Sequence, residues 1–271
     1  MSNTRSYVHG YDPAESQRLE DQASTLETLL HHDTRYPAGG PVLEVGCGVG
    51  AQTVPLARNS PDARIVSVDI SHASVRAAEE KVKAAGHTNV EFRQADIFNL
   101  PFSPAQFDHV FACFVLEHLP GPVEALRHLR EVLKPGGSLT VIEGDHGSTY
   151  FHPDNAAARA AVHAQIRLQA LAGGDANIGR RLYPLLREAG FPNVHVSPRM
   201  VYVDGSRPEL ADGFTERTFT AMIDGIRGPA LDAGLIEAEV FEEGVRALRR
   251  TAEPDGVFCY TFFKATCLKP G

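Results

Sequence analysis

The chain has few of the features that mark nucleic-acid-binding, membrane or disulfide-rich proteins. Its 271 residues contain no block of Lys and Arg and carry a net charge of −8, which argues against a nucleic-acid partner held by phosphate neutralisation. No apolar run is long enough to cross a bilayer, and residues 1–10 lack the apolar core of a signal peptide. The sequence therefore predicts a cytoplasmic protein with a small, nearly neutral substrate and neither a nucleic-acid nor a membrane partner.

Cysteine and histidine patterns also exclude several kinds of site. The four cysteines form no CxxC pair, and Cys259 and Cys267 lie roughly 26 Å apart along one predicted strand, too far for a disulfide. A reduced chain is expected. Twelve histidines include no HExxH motif, and His31 and His32 are expected to be exposed on a helix. We predict no metal site.

What the chain does contain is an apolar strand that runs into a glycine-rich turn, PVLEVGCGVG at residues 41–50. A strand, a glycine turn and a helix together bring backbone N–H groups and a helix N-terminus against a nucleotide. The spacing Gly46-x-Gly48-x-x-Ala51 satisfies the dinucleotide fingerprint, which is weak when it stands alone. Glu44 with Gly46, Gly48 and Gly50 instead resembles the first motif of class I S-adenosyl-L-methionine (SAM) methyltransferases. A tight turn without a ligand is the third interpretation.

The carboxylate at the strand end favours the second interpretation. Glu44 would repel the pyrophosphate of a dinucleotide, whereas SAM has no phosphate and carries an ammonium and a sulfonium that a carboxylate attracts. Two later strands are also predicted to end near acids. Asp69 follows the glycines at the distance expected of a ribose ligand, because a carboxylate accepts hydrogen bonds from both ribose hydroxyls, while Ser71 is the better helix cap. Asp96 either contacts adenine or caps a loop.

Further motifs extend the resemblance over roughly residues 40–146. The run "FDHVFACFVLEHLP … LREVLKPGGSLTVIEGD", together with "VLEVGCGVG", "VSVDIS" and "QADIF", is similar to the ubiquinone/menaquinone C-methyltransferase group. The segments "EGDHGSTYFHP" and "SYVHGY" resemble small-molecule methyltransferases, some of which methylate aromatic carbons such as those of indoles. The resemblance implies SAM as cofactor. The cofactor-binding residues expected from these motifs and their neighbours are Glu44, Gly46, Cys47, Gly48, Gly50, Gln52, Asp69, Ile70, Asp96, Ile97, Phe114, Tyr7 and Tyr11.

The alternation of strands and helices predicts an α/β fold with a Rossmann-like, mostly parallel sheet and helices on both faces. The resemblance implies seven strands, with the last one antiparallel and inserted beside the fifth. We expect a single domain over residues 1–271. Its parts are an N-terminal lid helix (1–40), a cofactor-binding core (41–146) and a substrate-side half (147–271) with a helical insertion (204–255).

The N-terminal region carries a predicted helix over 13–32, preceded by two tyrosines and a histidine. Tyr7 and Tyr11 flank Gly10, a plausible hinge, so they either close over the cofactor as a lid or are surface aromatics. An exposed N-terminal helix could also be exchanged between the subunits of a homo-oligomer. In the insertion, Phe214, Phe219, Met222 and Ile226 are spaced for one apolar face, which favours core packing over lining of a pocket.

Methyl transfer from a sulfonium is an in-line displacement that depends mainly on alignment and exclusion of water. A base is needed only if the acceptor must lose a proton. His146 is the first candidate, His118 with Glu117 as its orienting partner is the second, and Tyr11 is a third catalytic candidate. Both histidines could instead satisfy buried hydrogen bonds.

The predicted function is therefore transfer of a methyl group from SAM to a small aromatic or natural-product acceptor, with carbon as one candidate for the methylated atom. One alternative is an NAD-dependent oxidoreductase that uses the GxGxxA spacing, although the sequence offers no Tyr-x-x-x-Lys pair for hydride transfer. Another is a SAM-binding protein that catalyses a rearrangement without transfer.

Overall fold

The computed structural model describes residues 13–271, with side chains described for residue 18 and from residue 21 onward. Tyr7, Tyr11 and Gly10 lie outside the described residues, so the lid stays a prediction. The strands are β1 (Pro41–Val45), β2 (Arg64–Asp69), β3 (Val90–Gln94), β4 (Phe107–Cys113), β5 (Leu133–His152), β6 (Val194–Asp204) and β7 (Val257–Leu268). The α-helices are α1 (Pro13–His31), α2 (Thr53–Asn59), α3 (His72–Ala84), α4 (Pro122–Val132), α5 (Ala156–Leu171), α6 (Leu182–Glu188), α7 (Pro208–Leu210), α8 (Ala221–Gly225), α9 (Arg227–Asp232) and α10 (Ala238–Arg250).

The seven strands form one sheet in the order β3-β2-β1-β4-β5-β7-β6. Strands β1 to β5 pair in parallel, with β1 between β2 and β4, and the last strands are antiparallel. The closing strand β7 lies between β5 and β6. The predicted Rossmann-like α/β fold, including the insertion of the last strand beside the fifth, is confirmed.

The chain divides into two compact units. The sheet unit comprises residues 27–143, 178–199 and 263–271, and the aromatic unit comprises residues 144–177, 200–262 and the described residues before 27. Strands β5, β6 and β7 contribute residues to both units. Among residues 13–271, none of the helices combines the length and the apolar character needed to span a bilayer.

Helix boundaries follow local capping chemistry. The Ser71 side chain accepts a hydrogen bond from the Ser74 N–H at the start of α3, as a side-chain N-cap does. Asn155 caps α5 in the same way, through the N–H of Ala158. Helix α4 begins at Pro122, whose missing N–H costs nothing in the first turn.

Strand β5 is much longer than predicted. The sequence predicts a fifth strand over 138–143, followed by a polar segment on the substrate side, but β5 continues to His152. Polar side chains support this extension instead of interrupting it. Within the aromatic unit, the Ser148 hydroxyl accepts the N–H of Thr261 from β7 at 2.9 Å and donates to the carbonyl of Asp145 at 2.7 Å.

The helical insertion also differs from its prediction. The sequence predicts two helices there, over 207–227 and 236–251. The second is present as α10, but the first is divided into α7, a π-helix over Ala211–Thr220, α8 and α9. The i→i+5 hydrogen bonding of a π-helix stacks residues five positions apart, so Phe214 and Phe219 both contact the ring of Tyr260, with centroids at 5.8 and 5.6 Å. Both phenylalanines are buried, and core packing is confirmed for this apolar stripe.

His31 corrects a further expectation. Its side chain is 1% exposed, and its Nε2 lies 2.7 Å from Oε1 of Gln52. Burial lowers the pKa of His31 to about 4, so the imidazole is neutral at physiological pH. His32 is exposed, as predicted. All four cysteines are free and buried.

Candidate functional site

The glycine turn after β1 is fixed to the neighbouring strand β2. The N–H groups of Gly46 and Cys47 both donate to the carbonyl of Val68, at 2.8 and 3.0 Å. Gly46, Gly48 and Gly50 all have positive φ, at 69°, 51° and 81°, a region that residues with a Cβ rarely adopt. The turn therefore depends on glycine at all three predicted positions.

Two of these glycines are also needed because neighbouring atoms leave no room for a Cβ. A Cβ on Gly46 would lie 2.5 Å from Cγ2 of Val115, and one on Gly50 would lie 2.9 Å from Cα of Ala78. A Cβ on Gly48 would meet no atom within 4 Å. The turn is thus packed against the segment after β4 on one side and against α3 on the other.

Asp69 joins the glycine turn to the start of α3. Its Oδ2 accepts the N–H of Gly48 and its Oδ1 accepts the N–H of Ser71, both at 2.9 Å. Burial raises the pKa of Asp69, and the backbone N–H groups of Ser71 and Gly48 oppose that rise. The Ile70 N–H also acts on this carboxylate, which has about four lone-pair sites, so the backbone does not use all of its acceptor capacity. Ser71, not Asp69, is the helix cap, as predicted.

Glu44 lies deeper than a freely accessible ligand group would. Its side chain is 2% exposed, and its Oε2 accepts the hydroxyl of Ser67 at 2.5 Å. Burial, together with the nearby charge of Asp69, raises the pKa of Glu44 to about 7. Cys47 is also buried, and burial raises the pKa of its thiol, which is therefore protonated at neutral pH. Gln52 lies against His31, as described above.

The loop after β3 contains the third predicted acid. Oδ1 of Asp96 accepts the N–H of Phe98 at 3.0 Å, and its carbonyl accepts the N–H of Asn99 at 2.8 Å. This is the loop-capping geometry that the sequence analysis kept as an alternative, and contact with adenine stays a prediction. Ile97 is 9% exposed and belongs to the core, whereas Ile70 is 45% exposed.

The segment after β4 has strained backbone at Phe114. Its φ is 59°, which is uncommon for a residue with a bulky side chain and costs on the order of 1–3 kcal/mol. The Phe114 N–H still donates to the carbonyl of Ile142 at 2.9 Å. Strain of this kind persists only where surrounding contacts hold the backbone, and it is frequent at functional sites.

Glu143 is the site residue that sequence reasoning missed. Its side chain is fully buried, and its Oε1 accepts the N–H groups of Val115 and Leu116 at 3.0 and 2.7 Å. Its Oε2 is buried and has no hydrogen-bond partner among the described residues. Burial, reinforced by the charge of Glu117, raises the pKa of Glu143. In the sequence, Glu143 lies at the carboxyl end of the predicted fifth strand. The same position in a strand identified Glu44 and Asp69 as candidates.

The second predicted base, His118, belongs to a short 3₁₀-helix over Leu116–His118. Its Nε2 lies 3.7 Å from Oε1 of Glu117, so the predicted neighbour is present, at a distance longer than a hydrogen bond. Glu117 is 8% exposed. The geometry brings His118 and Glu117 into the sheet unit with the glycine turn.

His146 lies in the aromatic unit. Its Nδ1 is 3.0 Å from the hydroxyl oxygen of Tyr260 and its Nε2 is 3.3 Å from Sδ of Met222. The ring of Phe219 lies 6.0 Å from the imidazole, centroid to centroid, and the His146 side chain is 6% exposed. Both ring nitrogens therefore have polar neighbours, as in the alternative that assigned this histidine to buried hydrogen bonds.

The carboxyl end of the parallel strands is rich in acids. Those of these acids that are ionised would suit a cationic ligand and oppose a pyrophosphate, whereas burial favours the neutral form of Glu143. Among residues 13–271, no group of three or more His, Cys, Asp and Glu side chains has the geometry of a metal site. The acids at or just after the carboxyl ends of β1 to β4, and within β5, are Glu44, Asp69, Asp96, Glu117 and Glu143.

Known methyltransferases are similar to part of this chain. Residues 42–137 match the family model described as a methyltransferase domain. The chain is 34% identical over 134 residues to 27-O-demethylrifamycin SV methyltransferase of Amycolatopsis mediterranei, covering 49% of each protein. It is 34% identical over 110 residues to demethylmenaquinone methyltransferase of Listeria welshimeri, covering 40% of this chain and 47% of the relative. The chain thus spans about half the length of these curated relatives.

A solved structure extends the similarity to nearly the whole chain. Phosphoethanolamine N-methyltransferase 2 of Haemonchus contortus, in complex with phosphomonomethylethanolamine and S-adenosylhomocysteine, superposes with a TM-score of 0.60 at 14% identity. The superposition covers 99% of this chain and 59% of that one. At this identity the likeness shows a shared fold.

Proposed function

We propose that this chain, whose residues 42–137 match the family model described as a methyltransferase domain, transfers a methyl group from SAM to a small acceptor. The observation that carries the proposal is the Asp69 carboxylate, which accepts the N–H groups of Gly48 and Ser71. It fixes the glycine turn against the carboxyl end of β2. Ligands of open α/β sheets bind at this edge, where the strand order reverses, and here β1 lies at the reversal between β2 and β4.

The proposed roles of the cofactor residues follow from their chemistry. Asp69 would accept hydrogen bonds from the ribose hydroxyls with the lone pairs that the backbone leaves available. The glycine turn would let the backbone approach the methionine half of SAM. Glu44, buried beside the turn, would contribute an electrostatic attraction to the cationic groups more than a direct contact. Asp96 and Ile97 would contact the adenine, and Phe114 would offer an aromatic face to the sulfonium, a contact worth about 2 kcal/mol when desolvated.

When bound, SAM supplies an activated methyl group, so the protein need not provide a nucleophile. The chain's own residues would align the acceptor with the methyl carbon and exclude water, which can lower the barrier by several kcal/mol or more. If the acceptor loses a proton, His118 is a candidate base. His146 would accept the proton only after giving up its contact with Tyr260 or Met222. Two relatives of the chain are named as methyltransferases of 27-O-demethylrifamycin SV and of demethylmenaquinone, which supports a small-molecule acceptor. Carbon, nitrogen and oxygen all stay candidates for the methylated atom.

Binding measurements test the cofactor assignment. We expect isothermal titration calorimetry to detect SAM binding and much weaker or no binding of NAD, because the acids at this edge oppose a pyrophosphate. Asp69→Ala should weaken SAM binding tenfold or more. Asp108→Asn is a matched control, since Asp108 lies near the opposite end of β4 and pairs with Lys134 at 2.8 Å. Tighter binding of NAD than of SAM would favour the oxidoreductase alternative instead.

A second experiment tests transfer itself. The protein is incubated with methyl-labelled SAM and a panel of phenols, indoles, quinols and amines, and S-adenosylhomocysteine release is measured. We expect labelled product with at least one aromatic acceptor. SAM binding without S-adenosylhomocysteine release across the panel would favour a SAM-dependent rearrangement over methyl transfer.

A further inference from the structure

We propose that Glu143 is a positioning residue for the cofactor site, which holds the segment Phe114–Leu116 in the conformation that the glycine turn requires. The inference rests on the proposed SAM site and adds to it a residue from β5. Glu143 does not need to touch the cofactor in this role. It acts through the backbone that follows β4.

Three hydrogen bonds attach this segment to β5. The Phe114 N–H donates to the carbonyl of Ile142 at 2.9 Å and so continues the pairing of β4 with β5. The next two N–H groups, of Val115 and Leu116, can no longer follow the strand because the backbone turns at Phe114. Both donate to Oε1 of Glu143. One carboxyl oxygen therefore replaces two backbone acceptors at the point where the strand ends.

The same contacts oppose the strain at Phe114. A left-handed φ of 59° is unfavourable for this residue. An N–H group that loses its acceptor is unfavourable as well, and the turned conformation gives both N–H groups an acceptor. The Glu143 oxygen makes the turned conformation the favourable one. Without it, Phe114 is expected to return to an extended backbone and move its ring.

Val115 transmits this restraint to the glycine turn. A Cβ on Gly46 would lie 2.5 Å from Cγ2 of Val115, so the Val115 side chain packs closely against the turn. Its backbone N–H is one of the two that Glu143 accepts. Movement of Val115 would therefore change the packing against Gly46 as well as the orientation of the Phe114 side chain.

The proposed role requires an acceptor atom at the right reach and does not require a negative charge. Glu143 is fully buried, and burial raises its pKa, so a neutral carboxyl is the form that the surroundings favour. A neutral amide of the same length, in Glu143→Gln, keeps one oxygen acceptor. Glu143→Asp keeps the carboxyl but shortens it by one methylene, and Glu143→Leu keeps similar volume without an acceptor.

Amide hydrogen exchange of the full chain tests the positioning directly and needs no ligand. In the Asp and Leu variants we expect at least tenfold faster exchange at the Val115 and Leu116 amides than in wild type. The Phe114 amide, which bonds to Ile142, is an internal control and should exchange as in wild type. The Gln variant should retain protection at all three. Unchanged protection at Val115 and Leu116 in the Asp or Leu variant overturns the proposal.

Titration of SAM into the same variants tests the consequence for the site. We expect the Asp and Leu variants to bind SAM at least tenfold more weakly and the Gln variant to bind within about threefold of wild type. A Gln variant as impaired as the Leu variant overturns the acceptor role in favour of a charge role. If wild type itself does not bind SAM, the proposed function fails, while the exchange experiment still decides whether Glu143 holds the segment. If the Leu variant does not fold, the Asp and Gln pair carries both measurements.

Discussion

The imidazole Nδ1 of His146 lies 3.0 Å from the hydroxyl oxygen of Tyr260, and both side chains are buried. The other ring nitrogen, Nε2, lies 3.3 Å from the thioether sulfur of Met222. A thioether has no hydrogen to donate, so this contact is a hydrogen bond only when Nε2 carries the proton. Nδ1 then holds the lone pair and accepts the Tyr260 hydroxyl. Gly144 makes room for that hydroxyl, since a Cβ there would lie too close to it.

This arrangement predicts the tautomer of His146. Nitrogen-15 NMR of the ring should show the neutral Nε2–H form in wild type at neutral pH. Tyr260→Phe should produce a mixture of tautomers and lower the free energy of unfolding by about 1 kcal/mol, the usual value of a lost buried hydrogen bond. Met222→Leu, which keeps similar volume but removes the acceptor, should also shift the tautomer balance. A wild-type ring with its proton on Nδ1 would contradict the assignment and leave Nε2 as the basic nitrogen.

Glu44 predicts a pH dependence of stability. Its pKa is raised from 4.5 to about 7 by burial, so the folded state binds more protons than the unfolded state between these values, and stability falls as pH rises from about 4.5 to about 7. The full shift corresponds to roughly 3 kcal/mol at most. Glu44→Gln keeps an acceptor for Ser67 but does not titrate. Urea unfolding at several pH values should show a smaller loss of stability between pH 5 and pH 8 in the variant, and equal losses in both proteins would contradict the assignment.

The parts of the site that could be predicted from sequence depend on local rules. Glycines at Gly46, Gly48 and Gly50 indicate positive φ, and an acid after the second strand indicates the position of Asp69. Ser71 satisfies a capping pattern that involves only its own helix. Each of these predictions depends only on residues close together in sequence and on the regular spacing of a strand or helix. No distant partner is needed to make it.

The parts that were missed depend on partners distant in sequence. Glu143 looks like any acid near a strand end, and its two acceptor contacts are with residues 28 and 27 positions away. His31 sits in an apparently ordinary helix, and its burial against Gln52 requires the tertiary fold. The extension of β5 through residues 144–152 is supported by Ser148 and Thr261, 113 positions apart.

Substitutions at two glycines of the same turn separate the cost of a steric clash from the cost of a positive φ. Gly46 and Gly48 both have positive φ, so alanine at either position should cost about 1 kcal/mol of stability from backbone strain. Only at Gly46 would the new Cβ overlap Val115, a stiff β-branched side chain whose backbone is held by Glu143. Overpacking of this kind adds about 1–3 kcal/mol, so Gly46→Ala should be clearly less stable than Gly48→Ala in urea unfolding. Adding Val115→Ala should recover part of the lost stability in the Gly46 variant and none in the Gly48 variant. If the two single variants are equally stable, Val115 moves aside freely and does not restrict the turn.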